Sequence, residues 1–238
     1  MTEILQLLIF GIVLGSIITL GAVGLSLLYG ILRFANFAHG DMMAVGAYFA
    51  LACVVGLGWP LYAAFPVALA GGAAVAIAID RALYKHLRRT APVILLISSF
   101  GVALMLRSLI QLIWGPQSQV YEPGIRMPFY LLGLRLKPDH VTILVGAIIL
   151  VVLLHLFLQY TKMGKAMRAM SDNVDLAQVT GIDTERVIMW TWALGAALAA
   201  GAGIFLAMDT RLQPIMGWNL LLPVFAAAIM GGIGKPYG

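Results

Sequence analysis

Charged residues and cysteines are both scarce in this chain. Only 11% of its 238 residues are Asp, Glu, Lys or Arg, and the single cysteine, Cys53, lies inside an apolar run. One cysteine cannot form an internal disulfide, and no spacing typical of a zinc site surrounds it. In contrast, 62% of the residues are hydrophobic, and a mean hydropathy of +0.98 exceeds what a water-soluble core requires. The composition therefore predicts an integral membrane protein of the all-α class.

Signatures of cofactor binding and catalysis are also missing. The run Gly231-Gly232-Ile233-Gly234-Lys235 resembles the start of a phosphate-binding loop, but Pro236 replaces the required serine or threonine and no strand precedes it. The pair His39 and Asp41 is the faint candidate for an intramembrane enzyme, and His39 has no second metal ligand one helical turn away. We expect no catalytic residue, no metal site and no cofactor bound by this chain.

Seven apolar runs are candidates for crossing a bilayer core of about 30 Å, which takes about 20 residues of helix. They cover residues 4–32, 37–57, 61–79, 91–113, 141–160, 187–208 and 220–233. The pattern predicts one polytopic helical bundle over residues 1–238. The last run is short and the chain stops with a glycine-rich segment in progress, so we expect C-terminal truncation, with one or more further helices missing.

Basic residues stand at the ends of the apolar runs and indicate the orientation of the bundle. The net charge of +5 is therefore a topology signal and does not indicate nucleic acid. Basic side chains cluster in the turn 81–89 and in the loop 161–186, which predicts that both are cytoplasmic. The N-terminus and the turn-rich segment 114–140 are then outside, although that segment also carries Arg126, Arg135 and Lys137.

The loop 161–186 places eight charged side chains between two apolar runs, which is typical of a surface offered to a soluble partner. Residues 161–170 continue from the fifth span with basic residues about one turn apart. Ser171 or Asp172 is predicted to cap a short helix over residues 172–180, and Gly181 to end it in a left-handed conformation.

The next span is predicted to begin at a cap provided by Asp183 or Thr184. Val179 and Ile182 leave an apolar patch beside the glycine stop. An ordinary surface loop is the alternative interpretation of these features.

Three motifs in this chain resemble the permease subunits of branched-chain amino acid ABC importers. The first comprises residues 164–173 (GKAMRAMSDN), Ala177, residues 181–183 (GID) and residues 193–203 (ALGAALAAGAG). The second is residues 24–41 (GLSLLYGILRFANFAHGD), continuing to residues 46–48, and the third is residues 226–234 (AAAIMGGIG). They occur in the family's order over most of the chain. Urea and short-amide permeases share the same pattern, and the family's permeases continue past the third motif.

The resemblance implies a path for branched-chain or other hydrophobic amino acids in a bacterial-type inner membrane. The implied partners are a second permease subunit, two ATP-binding subunits that use ATP and Mg, and an extracytoplasmic solute-binding protein. The segment 172–182 would be the coupling helix. The implied ATPase-coupling residues are Gly164, Lys165, Arg168, Asp172, Ala177, Gly181 and Ile182. A urea or short-amide permease is the alternative, and a secondary transporter or channel is a further one.

Polar residues at the junction of the first two spans are candidates for the translocation path, with Gly40 allowing a backbone break. Polar or irregular backbone at membrane depth is tolerated against protein or a water-filled cavity. The alternative is an interfacial turn in which Arg33 pairs with Asp41 and Asn36 caps the second helix. The candidate path residues, including two mid-span serines, are Asn36, His39, Gly40, Asp41, Ser98 and Ser99.

Other intramembrane polar groups have structural interpretations. Arg107 is expected to extend toward the outer interface, and His155 to be a packed histidine. Asp209 and Arg211 could contact a binding protein or form a salt bridge. Glycine and alanine recur at spacings that allow helices to approach closely, either for packing or to line a path; they include Gly11, Gly15, Gly21, Gly24, Gly195, Ala196, Ala199, Ala200 and Gly203.

Overall fold

The computed structural model describes residues 2–88, 90–121, 129–131, 134–232 and 234. Its helices and strands, in chain order, are α1 (Thr2–Leu32), α2 (Ala38–Leu51), α3 (Leu61–Ile79), α4 (Lys85–Leu87), α5 (Pro92–Trp114), β1 (Phe129–Leu131), β2 (Leu134–Leu136), α6 (Pro138–Tyr160), α7 (Lys162–Asp172), α8 (Val174–Val179), α9 (Thr184–Asp209) and α10 (Met216–Gly231). π-helical turns, Ala52–Gly56 and Asp80–Tyr84, extend α2 and join α3 to α4.

Six helical stretches of the described chain are long and apolar enough to cross a membrane. They are Glu3–Leu32, Ala38–Gly56, Leu61–Leu87, Pro92–Trp114, Pro138–Tyr160 and Thr184–Asp209, with Met216–Gly231 as a shorter apolar helix. This confirms the predicted helical bundle. The short hairpin of β1 and β2, which pairs Phe129 with Leu136, was not expected. It lies in the segment whose turn residues predicted a connection outside the spans.

Helices α2 and α9 form the centre of the bundle. In the most apolar segment of each of these two spans, 78% is buried inside the bundle. The corresponding share in the other four spans is 22–33%. They cross where Gly46 faces Ala200 and where Gly203 faces the backbone of Met43, and a side chain at either glycine would overlap its neighbour. The packing interpretation of the small residues on α9 is therefore confirmed.

Helix α1 packs against α9 at a similar close approach, since a Cβ added to Gly24 would lie 2.8 Å from the Gly195 carbonyl oxygen. By contrast, no atom of the described residues lies within 4 Å of such a Cβ at Gly11 or Gly15. Among the described helices, the spacing of those two glycines therefore serves no contact.

The two basic loops lie at the same end of the bundle, which we call the basic end. Arg88 donates to Glu185 at 2.7 Å and also bonds Asp80, and Lys85 lies 3.1 Å from Glu185. These contacts join the turn after α3 to the start of α9. Arg33, after α1, is held at the same end by a hydrogen bond to the carbonyl of Ser171.

The opposite end of the bundle is closed by contacts between the segment after α5 and the segment after α9. Gln119 and Leu212 form a backbone bridge, and Gln213 donates to the Ser118 hydroxyl at 3.0 Å. Tyr121 donates to the Ala47 carbonyl at 3.0 Å. Burial raises the pKa of Tyr121 well above the usual tyrosine range, with a smaller contribution from Tyr48, so the phenol stays a donor.

Candidate functional site

Helix α7 begins after a break in the backbone at Thr161. The Thr161 hydroxyl accepts a hydrogen bond from the Gly164 N–H at 2.9 Å, while Thr161 itself is extended with ψ at 152°. The expectation that residues 161–170 continue the fifth span is therefore wrong. A Cβ at Gly164 would lie 2.5 Å from the Leu158 carbonyl oxygen, so the turn from α6 into α7 requires glycine.

The faces of α7 differ in burial. Met167 and Met170 are buried, whereas Lys165 is exposed. Arg168 is partly buried and donates to the Gln159 side chain at 3.0 Å. Helix α7 therefore lies along the basic end with its methionines inward and part of its positive charge outward.

Helix α8 is capped by Asn173, not by Ser171 or Asp172 as predicted. The Asn173 side-chain oxygen accepts from the Leu176 N–H at 3.0 Å. Asp172 is instead the last residue of α7, and Ser171 precedes it in the same helix. The physical reason is that Asn173 is extended, with φ −154° and ψ 111°, which ends one helix and places its amide at the start of the next.

The C-terminal stop of α8 follows the prediction. Gly181 is left-handed at φ 86°, and its N–H bonds the Gln178 carbonyl while the Ile182 N–H bonds the Ala177 carbonyl, each at 3.1 Å. This pair of bonds is a Schellman motif. Asp183, not Thr184, caps α9, because its carboxylate accepts from the Arg186 N–H at 3.1 Å.

Helix α8 presents two large apolar side chains outward. Leu176 is 63% exposed and Val179 is 85% exposed, whereas Ala177 is 3% exposed and faces inward. We call Leu176 and Val179 the α8 apolar pair. The sequence pattern indicated Val179 but missed Leu176, because the predicted helix begins two residues before the observed one. The three-residue spacing of Leu176 and Val179, which places them on one helix face, was the signal that could have identified Leu176.

The chain leaves α1 at Arg33 and re-enters the bundle before α2. Arg33 has a positive φ of 57°, and its guanidinium donates to the Ser171 carbonyl. The predicted ion pair of Arg33 with Asp41 is therefore wrong. Gly40 lies within α2 rather than at a break; a Cβ there would lie 2.5 Å from the Gly217 carbonyl oxygen of α10.

Asn36 and Ser99 organise the start of α2. The Asn36 side-chain oxygen accepts from the Ala38 N–H at 3.1 Å, but the N-cap of α2 is Phe37, so the expected cap at Asn36 is placed one residue early; the oxygen also lies 3.4 Å from the Tyr84 hydroxyl. Ser99 of α5 accepts from the Phe37 N–H at 3.0 Å and also donates to its own helix at Leu96. Both side chains are buried.

His39 is fully buried and joins α2 to α1. Its Nε2 lies 2.9 Å from the Gly21 carbonyl oxygen. The Nδ1 of His39 and the Nδ2 of Asn36 are buried without a hydrogen-bond partner among the described residues. The described part of the chain holds no cluster of His, Cys, Asp and Glu suited to a metal ion.

Arg107 pairs with Asp41 inside the bundle. Its Nε and Nη2 donate to the two carboxylate oxygens at 3.0 Å each, and the Trp218 ring lies 4.9 Å from the guanidinium carbon. The Asp41 side chain is 0% exposed and that of Arg107 is 16% exposed. The expected extension of Arg107 toward the outer interface is therefore wrong, because the buried carboxylate of α2 holds the guanidinium inside.

Residues 7–238 match the family model for the permease component of branched-chain amino acid transport systems. The chain belongs to this permease family.

Curated relatives align with this permease over almost all of the permease's own length. It is 31% identical to the high-affinity branched-chain amino acid transport system permease protein LivH of Escherichia coli K12, over 97% of this chain and 80% of the relative. The corresponding BraD protein of Pseudomonas aeruginosa is 30% identical, over 97% and 80%. The probable permease protein LivH of Methanocaldococcus jannaschii is 33% identical, over 93% and 72%. No solved structure matches this chain.

The remaining polar residues of the permease are separate from the α1–α2 junction. Ser98 is half-buried beside Ser99. His155 is exposed on α6 rather than packed as predicted. Asp209 lies 3.3 Å from Nε2 of His140, and Arg211 is exposed. The structure therefore brings Asn36, His39, Asp41 and Ser99 together around the start of α2.

Proposed function

We propose that this permease is a membrane-spanning subunit of an ATP-driven importer and forms part of the path for branched-chain or other hydrophobic amino acids. Its partners are a second permease subunit, two ATP-binding subunits that use ATP and Mg, and an extracytoplasmic solute-binding protein. The observation that carries the proposal is the α8 apolar pair, which is exposed on a short, rigidly capped helix at the basic end.

The α8 apolar pair fits a groove on an ATP-binding subunit. Leu176 and Val179 lie three residues apart on one face of α8, and a helix that exposes neighbouring apolar side chains in this way can dock in a hydrophobic groove of a partner. The Asn173 cap and the Schellman motif at Gly181 hold the helix at both ends. A rigid helix can transmit movement of the ATP-binding subunit without bending.

Movement of α8 would reach the centre of the bundle. Helix α8 contacts α7 and the start of α9, and α9 packs along α1, α2 and α3. ATP-driven closure of the partner subunits would therefore shift α9 against α2, which carries the candidate path residues. Transport is then an alternation between two conformations that ATP biases through differential contacts.

The basic end is the cytoplasmic side in this proposal. Short loops rich in lysine and arginine remain in the cytoplasm, and Lys165 is exposed where it can meet lipid phosphates or an acidic rim of the ATP-binding subunit. Asp172 is exposed on the same loop. The N-terminus is then on the outside of a bacterial-type inner membrane.

The test replaces the α8 apolar pair in the complete importer reconstituted in proteoliposomes. We expect the double variant Leu176→Ser, Val179→Ser to lower leucine-stimulated ATP hydrolysis and leucine uptake about tenfold or more, because apolar anchors of an interface carry most of its binding energy. The matched control is Val120→Ser, whose side chain is 47% exposed at the opposite end. We expect that control to retain both activities.

Membrane insertion of each variant is measured in parallel, so that loss of the chain is not mistaken for loss of coupling. Full stimulation in the double variant would exclude α8 as the coupling helix. Uptake of leucine that needs no ATP-binding subunit would instead indicate a channel or secondary transporter. Uptake of urea or acetamide in preference to leucine, isoleucine and valine would identify the amide-transporting alternative.

A further inference from the structure

The Asp41–Arg107 ion pair is the strongest intramembrane feature that helix packing leaves unexplained. Charged groups within membrane-spanning helices are costly and are found where they serve a pathway. A buried ion pair also gives little net stability compared with apolar residues of the same volume. The pair joins α2, at the centre of the bundle, to α5, which has a broad exposed apolar face.

We propose that Asp41 and Arg107 bind a zwitterionic amino acid during transport, with Asp41 holding its ammonium group and Arg107 holding its carboxylate. This inference rests on the proposed function and deepens it. In the state described here, the two side chains satisfy each other. The solute separates them by replacing each partner with a group of the same charge.

The hydrogen-bond geometry suits this exchange. Asp41 and Arg107 are joined by two parallel bonds of 3.0 Å, the fork geometry that a guanidinium makes with any carboxylate. A solute carboxylate can therefore take the place of Asp41 without a new arrangement of donors. The ammonium group of the same solute supplies three donors to the carboxylate that is released.

The Arg107 side of the pair is accessible and the Asp41 side is not. The Arg107 side chain keeps 16% of its surface exposed, whereas Asp41 has 0%. A solute that meets the pair from its exposed side therefore reaches the guanidinium first, through its own carboxylate. The ammonium group follows as the guanidinium moves away from Asp41.

Aromatic side chains beside the pair form a surface for the solute's apolar group. Trp218 of α10 covers the guanidinium at 4.9 Å. Phe100 of α5 meets Trp218 edge to face, with ring centroids 5.5 Å apart, and is 43% exposed. An aliphatic side chain could pack on these rings while the charged end of the solute binds the pair.

Charge balance favours a zwitterion over an anion or a cation. The pair has no net charge, and a zwitterion has none, so the site stays neutral before and after exchange. An anion that bound Arg107 would leave the buried Asp41 carboxylate without a partner, and a cation that bound Asp41 would leave the Arg107 guanidinium without one. An unpaired charge is strongly unfavourable in a low-dielectric interior. The site therefore excludes solutes that carry only one of the two groups.

The first test is the double variant Asp41→Asn, Arg107→Gln in the complete importer, compared with each single variant. The single changes leave an unpaired charge, and we expect poor insertion from both. We expect the neutral double variant to regain insertion and assembly but to transport leucine about tenfold or more slowly, since both charged contacts with the solute are gone. Leucine uptake within about twofold of wild type would show that the pair is structural and would overturn the proposal.

The second test uses the complete wild-type importer in nanodiscs and does not depend on the folding of the double variant. Leucine is expected to change the tryptophan emission, and the change is expected to disappear in Trp218→Phe. Neither 4-methylpentanoate, which lacks the ammonium group, nor 3-methylbutylamine, which lacks the carboxylate, should produce it. An equal response to all three compounds, or no leucine response that depends on Trp218, would overturn the proposal.

The two tests also separate this proposal from the proposed function. Wild-type importer that fails to take up leucine with ATP would contradict the proposed function itself. ATP-driven uptake by the wild type that persists in the double variant would contradict only the role of Asp41 and Arg107.

Discussion

Gly181 is the residue on which the exit from α8 depends. Its φ of 86° lies in the left-handed region, and a Cβ there would meet no atom of the described residues within 4 Å. The requirement for glycine is therefore one of backbone conformation and not of space. Residues other than glycine, asparagine and aspartate rarely adopt this conformation, and branched side chains do so least.

This requirement predicts opposite results for two substitutions at one position. Gly181→Val should destabilise the left-handed turn by about 1–2 kcal/mol or more and lower leucine-stimulated ATP hydrolysis. Gly181→Asn is the control, since asparagine tolerates the same conformation, and it should retain most of the stimulation. Both variants should insert normally. Equal activity in the two variants would show that the turn does not determine coupling.

At the scale of elements, the crossing of α2 and α9 holds the bundle together. Lipid offers no hydrophobic drive for helices to associate, so close backbone contact between small residues supplies the attraction. At Gly203 the α9 backbone lies directly against the Met43 carbonyl of α2. Both partners of this contact are rigid backbone, which cannot move aside as a flexible side chain would.

Adding one methyl group should therefore separate the two helices. Gly203→Ala is expected to lower the free energy of unfolding by about 1–3 kcal/mol and to lower the thermal midpoint of the detergent-solubilised permease. Gly11→Ala is the matched control, because at that position in α1 no atom of the part of the chain that the structure describes lies within 4 Å of the added carbon. A thermal midpoint that falls equally in both variants would argue against the α2–α9 crossing as the critical contact.

At the scale of the whole molecule, the two ends of the bundle differ in charge. The basic end collects the turn after α3, the loop of α7 and α8, and Arg33, which the Arg88–Glu185 and Arg33–Ser171 contacts join. The opposite end is joined through Gln119 and Leu212. This difference predicts a single orientation in the membrane.

Single cysteines can test that orientation, because the one native cysteine, Cys53, is buried. In a Cys53→Ala background, Val179→Cys should react with a membrane-impermeant maleimide in inside-out vesicles, and Val120→Cys in right-side-out vesicles. The two valines are 85% and 47% exposed, so both should be reachable. Wild-type chain with Cys53 alone is the unlabelled control. Labelling of both variants from one side would contradict the topology.

Local features of this permease could be predicted from its sequence because short-range rules govern them. The apolar runs needed only length and hydropathy, and the stop at Gly181 and the cap at Asp183 needed only neighbouring backbone groups. The α8 cap was placed one or two residues early, since Ser171, Asp172 and Asn173 are all suitable caps. Which of them served depended on where α7 ended, and α7 ends at Asp172 because Asn173 is extended.

Long-range pairings were decided by the tertiary structure alone. Arg107 meets Asp41 across 66 positions of sequence, and Arg33 meets Ser171 across 138. Spans such as α1 and α6 are apolar on all sides, so their composition does not indicate which face contacts another helix. The close approaches of backbone at Gly24, Gly46 and Gly203 set how α1, α2 and α9 face one another, and α2 carries the buried Asp41.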